Sequence, residues 1–170
     1  MIAELVIFII LGIVAVSSAF AVILSKNPVY AVLFLVINFF ALAMLYLVLS
    51  AQFVAFIQIL VYAGAIMVLF LFVVMLLNLT GAIESLQDKL PAQRWLAPAL
   101  GMVLLVEIAV VFLSGFFARV PEASKLPEGF GTSAPVGMLL FSRYVLPFEV
   151  TSAVLLIAMV GSIVLAKRRP

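Results

Sequence analysis

FVAFIQILVYAGAIMVLFLFVVMLLN, residues 53–78, is a stretch of 26 residues without a formally charged side chain. At a rise of about 1.5 Å per residue, an α-helix of this length crosses a hydrocarbon core of about 30 Å with some tilt. Its centre holds Gln58, Tyr62 and the small residues Ala63-Gly64-Ala65. A polar, glycine-containing patch is costly inside such a helix, so we expect it to face protein or to serve a function.

The composition of the whole chain agrees with a membrane location. Of its 170 residues, 68% are hydrophobic and 9% are charged, and the mean hydropathy is +1.46. A soluble domain of this size needs more polar surface than this. Because lipid cannot pair with backbone polar groups, long apolar runs favour helices over barrel strands. The sequence therefore predicts an all-α integral membrane protein.

Five apolar segments predict five transmembrane helices in a single membrane domain, residues 1–170. The links between the first three are short, which makes these helices antiparallel, and Pro28 suits the start of the second. Residues 136–141, within the longest loop, are apolar enough to lie against the membrane surface. The predicted helices are 2–24, 28–49, 52–78, 95–117 and 147–166, and the predicted loop is 118–143.

The basic residues predict the orientation of the chain. With five spans, six Lys and Arg side chains fall on the side of the C-terminal tail and three on the other side. The positive-inside rule then places the C-terminus in the cytoplasm and the N-terminus outside. A basic tail beside an apolar helix is typical of a membrane anchor. Nucleic-acid binding would need a wider basic patch, so it is not predicted.

Residue types needed for many cofactors are missing from this sequence. It has no Cys and no His, which excludes Cys-ligated iron–sulfur clusters, His-ligated haem and thiol chemistry within this chain. It also has no phosphate-binding loop, dinucleotide fingerprint or pairing of a nucleophile with a base. We therefore predict no catalytic residue, cofactor-binding residue or metal ligand in this chain.

Tyr62 and Gln58 are the first candidate functional residues. A tyrosine hydroxyl left unpaired in hydrocarbon would cost a few kcal/mol. Gln58 lies four residues earlier, on the same face of an α-helix, and Ala65 and Leu69 continue that face. Two interpretations are open. The pair either forms a polar contact that joins two helices or places a hydroxyl on a path for protons or water.

Gly64 is the next candidate, because glycine in a helix interior costs about 1 kcal/mol relative to alanine. One interpretation is close packing of helices, which the adjacent alanines favour. The other is a weak point where the helix changes register or forms a π-bulge. The sequence leaves both open.

Two carboxylates are candidate proton-relay residues. Glu107 lies near the middle of the fourth segment, where a charged carboxylate costs about 2.5–3.5 kcal/mol. We expect it to face the bundle or a partner subunit, either as a relay or neutralised by a hydrogen bond to a neighbour. Glu149 follows Pro147, and a carboxylate in the first turn of the last helix suits the helix dipole. Interhelical hydrogen bonds are predicted for Asn38, Ser17 and Ser18.

Three stretches resemble the subunit J family of respiratory complex I, the proton-pumping NADH:quinone oxidoreductase. Residues 61–78, VYAGAIMVLFLFVVMLLN, are similar to the family's third helix. Residues 27–31, NPVYA, resemble the opening of its second helix, and residues 140–149, LFSRYVLPFE, resemble the start of its last helix. The resemblance extends over the whole chain and includes the number of helices. The fourth helix matches only in character, so Glu107 inherits no family role.

The resemblance implies a five-helix subunit between the quinone-site region and the antiporter-like pumps, in the inner (plasma) membrane of a bacterium. Its implied neighbours include subunits A, H, K and N, besides lipid. NADH, FMN, iron–sulfur clusters and a quinone would be bound by other subunits. The third helix is implied to carry a π-bulge around Tyr62 and Gly64, whose straightening and rotation opens and closes a water-filled proton path. Glu84, just beyond that helix, resembles an acidic position of the family and is a third candidate proton-relay residue.

The resemblance therefore predicts a subunit that helps to couple quinone reduction to proton translocation, with no redox centre of its own. Two alternatives stay open. One is a purely structural spacer that holds neighbouring pumps in register. The other is a structural or ion-path subunit of a related multisubunit cation/proton antiporter or membrane-bound hydrogenase. A stand-alone transporter is disfavoured, because the chain has no internal repeat and little intramembrane charge.

Overall fold

The computed structural model describes residues 2–77, 93–114 and 129–167, and within these ranges it is built of helices. The helices are α1 (Ile2–Leu24), α2 (Pro28–Val48), α3 (Gln52–Leu77), α4 (Gln93–Leu113), α5 (Ser133–Ser142) and α6 (Val145–Ala166). α1, α2, α3 and α6 are long and apolar enough to cross a membrane, whereas the apolar part of α4, Pro98–Leu113, is shorter. The prediction of an all-α integral membrane protein is confirmed. The five spans and their orientation stay predictions.

The second half of the chain departs from the predicted boundaries. α4 ends at Leu113 rather than at residue 117. The predicted loop 118–143 is wrong where Ser133–Ser142 forms α5, which includes the apolar residues 136–141. Proline and glycine indicate a loop here, but Pro135 lies in the first turn of α5. A missing N–H costs no intrahelical hydrogen bond in that turn.

Two helix starts show how proline is placed. Pro28 is the first residue of α2, as predicted, and Asn27 caps this helix by accepting a hydrogen bond from the Val29 N–H at 2.9 Å. α6 begins at Val145, two residues earlier than predicted, so Pro147 still lies in its first turn. Glu149 is the fifth residue of α6 and lies beyond that turn. Its predicted place in the first turn is therefore wrong.

α1 and α2 are joined by a polar contact between their facing sides. The Asn38 Nδ2 donates to the Ala15 carbonyl at 2.6 Å and to the Ser18 Oγ at 3.1 Å, and Ser18 is buried. The prediction of interhelical hydrogen bonds is confirmed for Asn38 and Ser18. It is wrong for Ser17, whose hydroxyl donates to the Val14 carbonyl within α1 at 3.1 Å.

We expect Asn38→Leu to weaken the pairing of α1 with α2. Hydrogen bonds between transmembrane helices contribute about 0.6 kcal/mol on average and up to about 1.7 kcal/mol, so the free energy of unfolding should fall by about 1 kcal/mol. The midpoint of SDS-induced unfolding in mixed micelles measures this loss. Ser17→Ala, which removes a bond made within α1, is the control. Equal losses for the two variants would contradict the role of Asn38.

α2 and α3 pack along an apolar seam. Its buried centre is formed by Val32 of α2 and by Met67 and Val74 of α3. Partly buried apolar side chains complete the seam, namely Val29, Leu35, Val36, Phe39 and Leu71. The seam holds the C-terminal half of α3 against α2.

The start of α3 is held by the segment that precedes α5. The Phe53 N–H donates to the Gly131 carbonyl at 2.8 Å, which pairs one of the N–H groups that a helix leaves free at its N-terminus. Gly131 has a φ of +86°, and an added Cβ would collide with the Ser50 carbonyl oxygen. Ser50 itself has a φ of +61° in the turn between α2 and α3. We call this set of interactions the Gly131 contact.

The Gly131 contact also constrains the path of the chain. α3 has 26 residues, from Gln52 to Leu77. Gly131 lies at its N-terminal end, whereas Leu77 is at the other end. The start of α3 and the segment that precedes α5 therefore lie at the same end of α3.

Candidate functional site

The centre of α3 is a π-helix. Residues Gln58–Ile66 form it, between the α-helical parts Gln52–Ile57 and Met67–Leu77. Its backbone hydrogen bonds join residues five apart rather than four. The π-bulge that the family resemblance implies around Tyr62 and Gly64 falls within this segment. The segment also contains Gln58 and Ala65, so four of the candidate residues share one irregular part of the fold.

The spacing of buried residues along α3 shows what the π-helix does. Ala55 and Gln58 are buried, the next buried residue is Ala63, and Met67 follows four residues later. A regular α-helix would bring Tyr62 to the face of Gln58, but the step of five brings Ala63 there. Gln58 is accordingly 8% exposed and Tyr62 44% exposed. The prediction that Gln58 and Tyr62 share a face is wrong, because it assumed α-helical spacing throughout.

Gly64 lies where the π-helix has little room. An added Cβ would lie 3.3 Å from the Ile59 carbonyl oxygen, which is tighter than an ordinary van der Waals contact. Ile59 is five residues earlier, which is the spacing of a π-helical hydrogen bond. At Gly12 and Gly101, by contrast, an added Cβ would meet no atom within 4 Å. Since alanine is favoured over glycine in an α-helix by about 1 kcal/mol, glycine at position 64 favours the π-helix relative to the α-helix.

Tyr62 lies at the edge of the contact between α3 and α2. Its ring packs edge-on against the ring of Phe39, with centroids 5.6 Å apart and planes at 65°. Ala65 is exposed. Within the single chain, the exposed part of the Tyr62 ring is accessible to water or to a neighbouring polypeptide.

The candidate carboxylates lie on other helices. Glu107 is exposed on α4 and lines an open depression with Ile108, Val111 and Phe112 of the same helix. Glu149 is exposed on α6. Neither α4 nor α6 packs extensively against the π-helical segment in the described structure. Glu84 lies outside the described residues. Geometry therefore groups Gln58, Tyr62, Gly64 and Ala65, and does not bring Glu107 or Glu149 to them.

Phe39 and Gly131 contribute to the site and its support but were not among the residues predicted from the sequence. Phe39 follows Val32 and Val36 at helical spacing, so its place on the seam could be predicted from the sequence. Its contact with the Tyr62 ring could not. Gly131 lies in a stretch with several glycines, and only its φ and its neighbour Ser50 distinguish it. In the described ranges, no group of three or more acidic side chains is arranged to hold a metal ion.

Comparisons with known proteins identify the family of this chain. The family model for NADH-ubiquinone/plastoquinone oxidoreductase chain 6 matches residues 18–165, which include the whole of α2 to α5. Relatives named NADH-quinone oxidoreductase subunit J occur in several bacteria, among them the following three. The Rhodobacter capsulatus protein is 39% identical over 164 residues, covering 95% of this chain and 80% of the relative. The Pseudomonas aeruginosa protein is 42% identical over 151 residues, covering 88% of each chain.

The third relative, from Escherichia coli K12, is 37% identical over 154 residues, covering 90% of this chain and 81% of its own. These matches confirm the resemblance drawn from residues 27–31, 61–78 and 140–149. The chain belongs to the NADH-ubiquinone/plastoquinone oxidoreductase chain 6 family, whose bacterial relatives carry the name subunit J.

Proposed function

We propose that this chain is a membrane-arm subunit of NADH:quinone oxidoreductase and that α3 acts as a conformational gate for water, which helps to couple quinone reduction to proton translocation. The π-helical segment Gln58–Ile66 carries this proposal. Its hydrogen bonds can be exchanged for α-helical ones, which gives one helix two discrete packings. The relatives named above favour this assignment over a related antiporter or hydrogenase.

The redox chemistry lies in other subunits of the complex. We assign NADH, FMN, iron–sulfur clusters and quinone to those subunits, and this chain has no Cys or His to hold a cluster. In a bacterial inner membrane, the exposed surfaces of α4 and α6 would meet lipid and neighbouring subunits, with subunits A, H, K and N as the proposed neighbours. The membrane-spanning part of α6 is not buried within the chain, which supports contacts of this kind.

A change from π-helix to α-helix rotates the following residues by about 100° relative to the preceding ones. The Gly131 contact holds the start of α3, so we expect the residues after Gln58 to rotate. Each buried residue of α3 after Gln58 would then be replaced at its position by the residue before it. Tyr62 would take the place of Ala63, Ile66 that of Met67, and Val73 that of Val74.

Two of these exchanges replace one apolar side chain by another, so the seam stays apolar in both packings. The third exchange is different, because it brings the Tyr62 hydroxyl to the face of the Gln58 amide in place of the Ala63 methyl. A phenol beside an amide can bind water, whereas a methyl group cannot. Reduction of quinone elsewhere needs only to favour one packing by a few kcal/mol.

Tyr62→Phe combined with Gly64→Ala tests this proposal against a purely structural spacer. We expect the complex to assemble and to pump fewer protons per NADH oxidised. Gly64→Ala should favour the α-helical packing by about 1 kcal/mol, or about 5-fold, and Tyr62→Phe removes the hydroxyl. Proton uptake into inverted membrane vesicles, divided by the quinone-linked NADH oxidation rate, measures the effect.

The matched control is Tyr46→Phe combined with Gly12→Ala. It makes the same two changes, and an added Cβ at Gly12 meets no atom within 4 Å. A normal ratio of protons to NADH in the Tyr62 and Gly64 variant would favour the spacer and contradict the gate.

A further inference from the structure

We propose that Phe39 of α2 is a positioning residue for Tyr62, and that its ring selects the π-helical packing of α3. This proposal rests on the gate proposed above, which makes the choice between the two packings functional. The observation behind it is the edge-on contact of the two rings, at 5.6 Å and 65°. This is the geometry that aromatic pairs prefer.

Phe39 is held from two sides. Val32, Val36 and Phe39 recur at helical spacing on the seam that packs α2 against α3. The preceding residue, Asn38, ties α2 to α1 through its bonds to Ala15 and Ser18. Phe39 is therefore part of a fixed surface against which α3 can change its register.

The contact with Phe39 belongs to the π-helical packing. Tyr62 is 44% exposed in this packing and meets Phe39 only at the rim of the seam. A one-residue change of register rotates Tyr62 by about 100° toward the face of Gln58. The edge-on geometry cannot persist through that rotation. The ring of Phe39 thus stabilises the packing in which Tyr62 is held away from Gln58.

Phe39→Leu in the assembled complex tests this role, because leucine keeps an apolar side chain on the seam but has no ring. Structures of the purified complex by cryo-electron microscopy, sorted by the hydrogen bonding of residues 58–66, give the ratio of α-helical to π-helical particles. We expect this ratio to rise about 2- to 12-fold, the factor that corresponds to an aromatic contact of about 0.5–1.5 kcal/mol.

Three further variants make the test specific. Phe40→Leu changes the neighbouring, exposed phenylalanine and should leave the ratio unchanged. Phe39→Tyr keeps the ring and should restore the ratio of the natural chain. In a Tyr62→Leu background, Phe39→Leu should have no further effect, because the partner ring is already gone.

An unchanged ratio in Phe39→Leu, or an equal change in Phe40→Leu, would overturn the role of Phe39. The same preparations are assayed for protons pumped per NADH oxidised. If the ratio of packings changes while pumping does not, the role of Phe39 stands and the gate proposal fails instead.

Discussion

Gly131→Ala is expected to remove most of the folded, assembled chain from the membrane. Alanine at a φ of +86° costs about 1–2 kcal/mol. Its Cβ would also collide with the Ser50 carbonyl, so the backbone must shift and the bond from the Phe53 N–H is lost, at about 0.5–1.5 kcal/mol. Together these terms give about 1.5–3.5 kcal/mol, a large part of the stability of a small domain. The amount of chain in the complex, measured by immunoblotting of native gels, checks the effect.

Two neighbouring glycines separate the collision from the backbone conformation. Gly129 has a φ of +80°, but an added Cβ would lie 3.8 Å from the nearest atom, the Thr132 Oγ1. Gly129→Ala should therefore cost only about 1–2 kcal/mol. Gly137 lies within α5 with nothing within 4 Å, and Gly137→Ala should gain about 0.5–1 kcal/mol. Equal losses for Gly129→Ala and Gly131→Ala would show that contact with Ser50 contributes nothing.

Gly64→Val is expected to leave the complex assembled and to slow quinone-linked proton translocation by about tenfold or more. Even a single Cβ at this position would lie 3.3 Å from the Ile59 carbonyl oxygen, and valine adds two methyl groups. Overpacking of this kind costs about 1–3 kcal/mol, and 1.4 kcal/mol corresponds to a factor of ten. Valine is tolerated in an α-helix, so the proposed gate should be held in its α-helical packing. Initial rates of proton uptake by inverted vesicles measure the effect.

Gly12→Val in α1 makes the same chemical change where an added Cβ meets no atom within 4 Å. We expect normal pumping from it. Normal pumping by an assembled Gly64→Val complex would leave no support for α3 as a gate. A structure of this variant should show α-helical hydrogen bonds between residues 58 and 66.

The long helices α1, α2, α3 and α6 could be predicted from the sequence, whereas the short helix α5 could not. Runs of apolar residues place α1, α2, α3 and α6 within about two residues, because a bilayer demands a minimum length of apolar helix. α5 was not predicted, because a segment of ten residues that contains a proline and a glycine has no strong hydrophobic periodicity. Its start depends on Thr132, which has an extended backbone and whose position is fixed by the Gly131 contact.

The candidate site was predictable in part. Gly64 was identified because glycine is costly in a helix interior, and that cost is local. The pairing of Gln58 with Ala63 rather than with Tyr62 was not predictable, because the register of α3 is set by tertiary contacts at its two ends. Gly131 holds one end from far along the chain, and Val32 holds the other from α2. Neither contact can be inferred from the sequence of α3 alone.

The absence of formal charge in residues 53–78 has an electrical consequence. Each elementary charge moved across a bilayer against 100 mV requires about 2.3 kcal/mol. Rotation of neutral side chains about the axis of α3 transfers no such charge. Rotation of these side chains in the proposed gate would therefore have the same equilibrium constant whether the membrane is de-energised or fully energised.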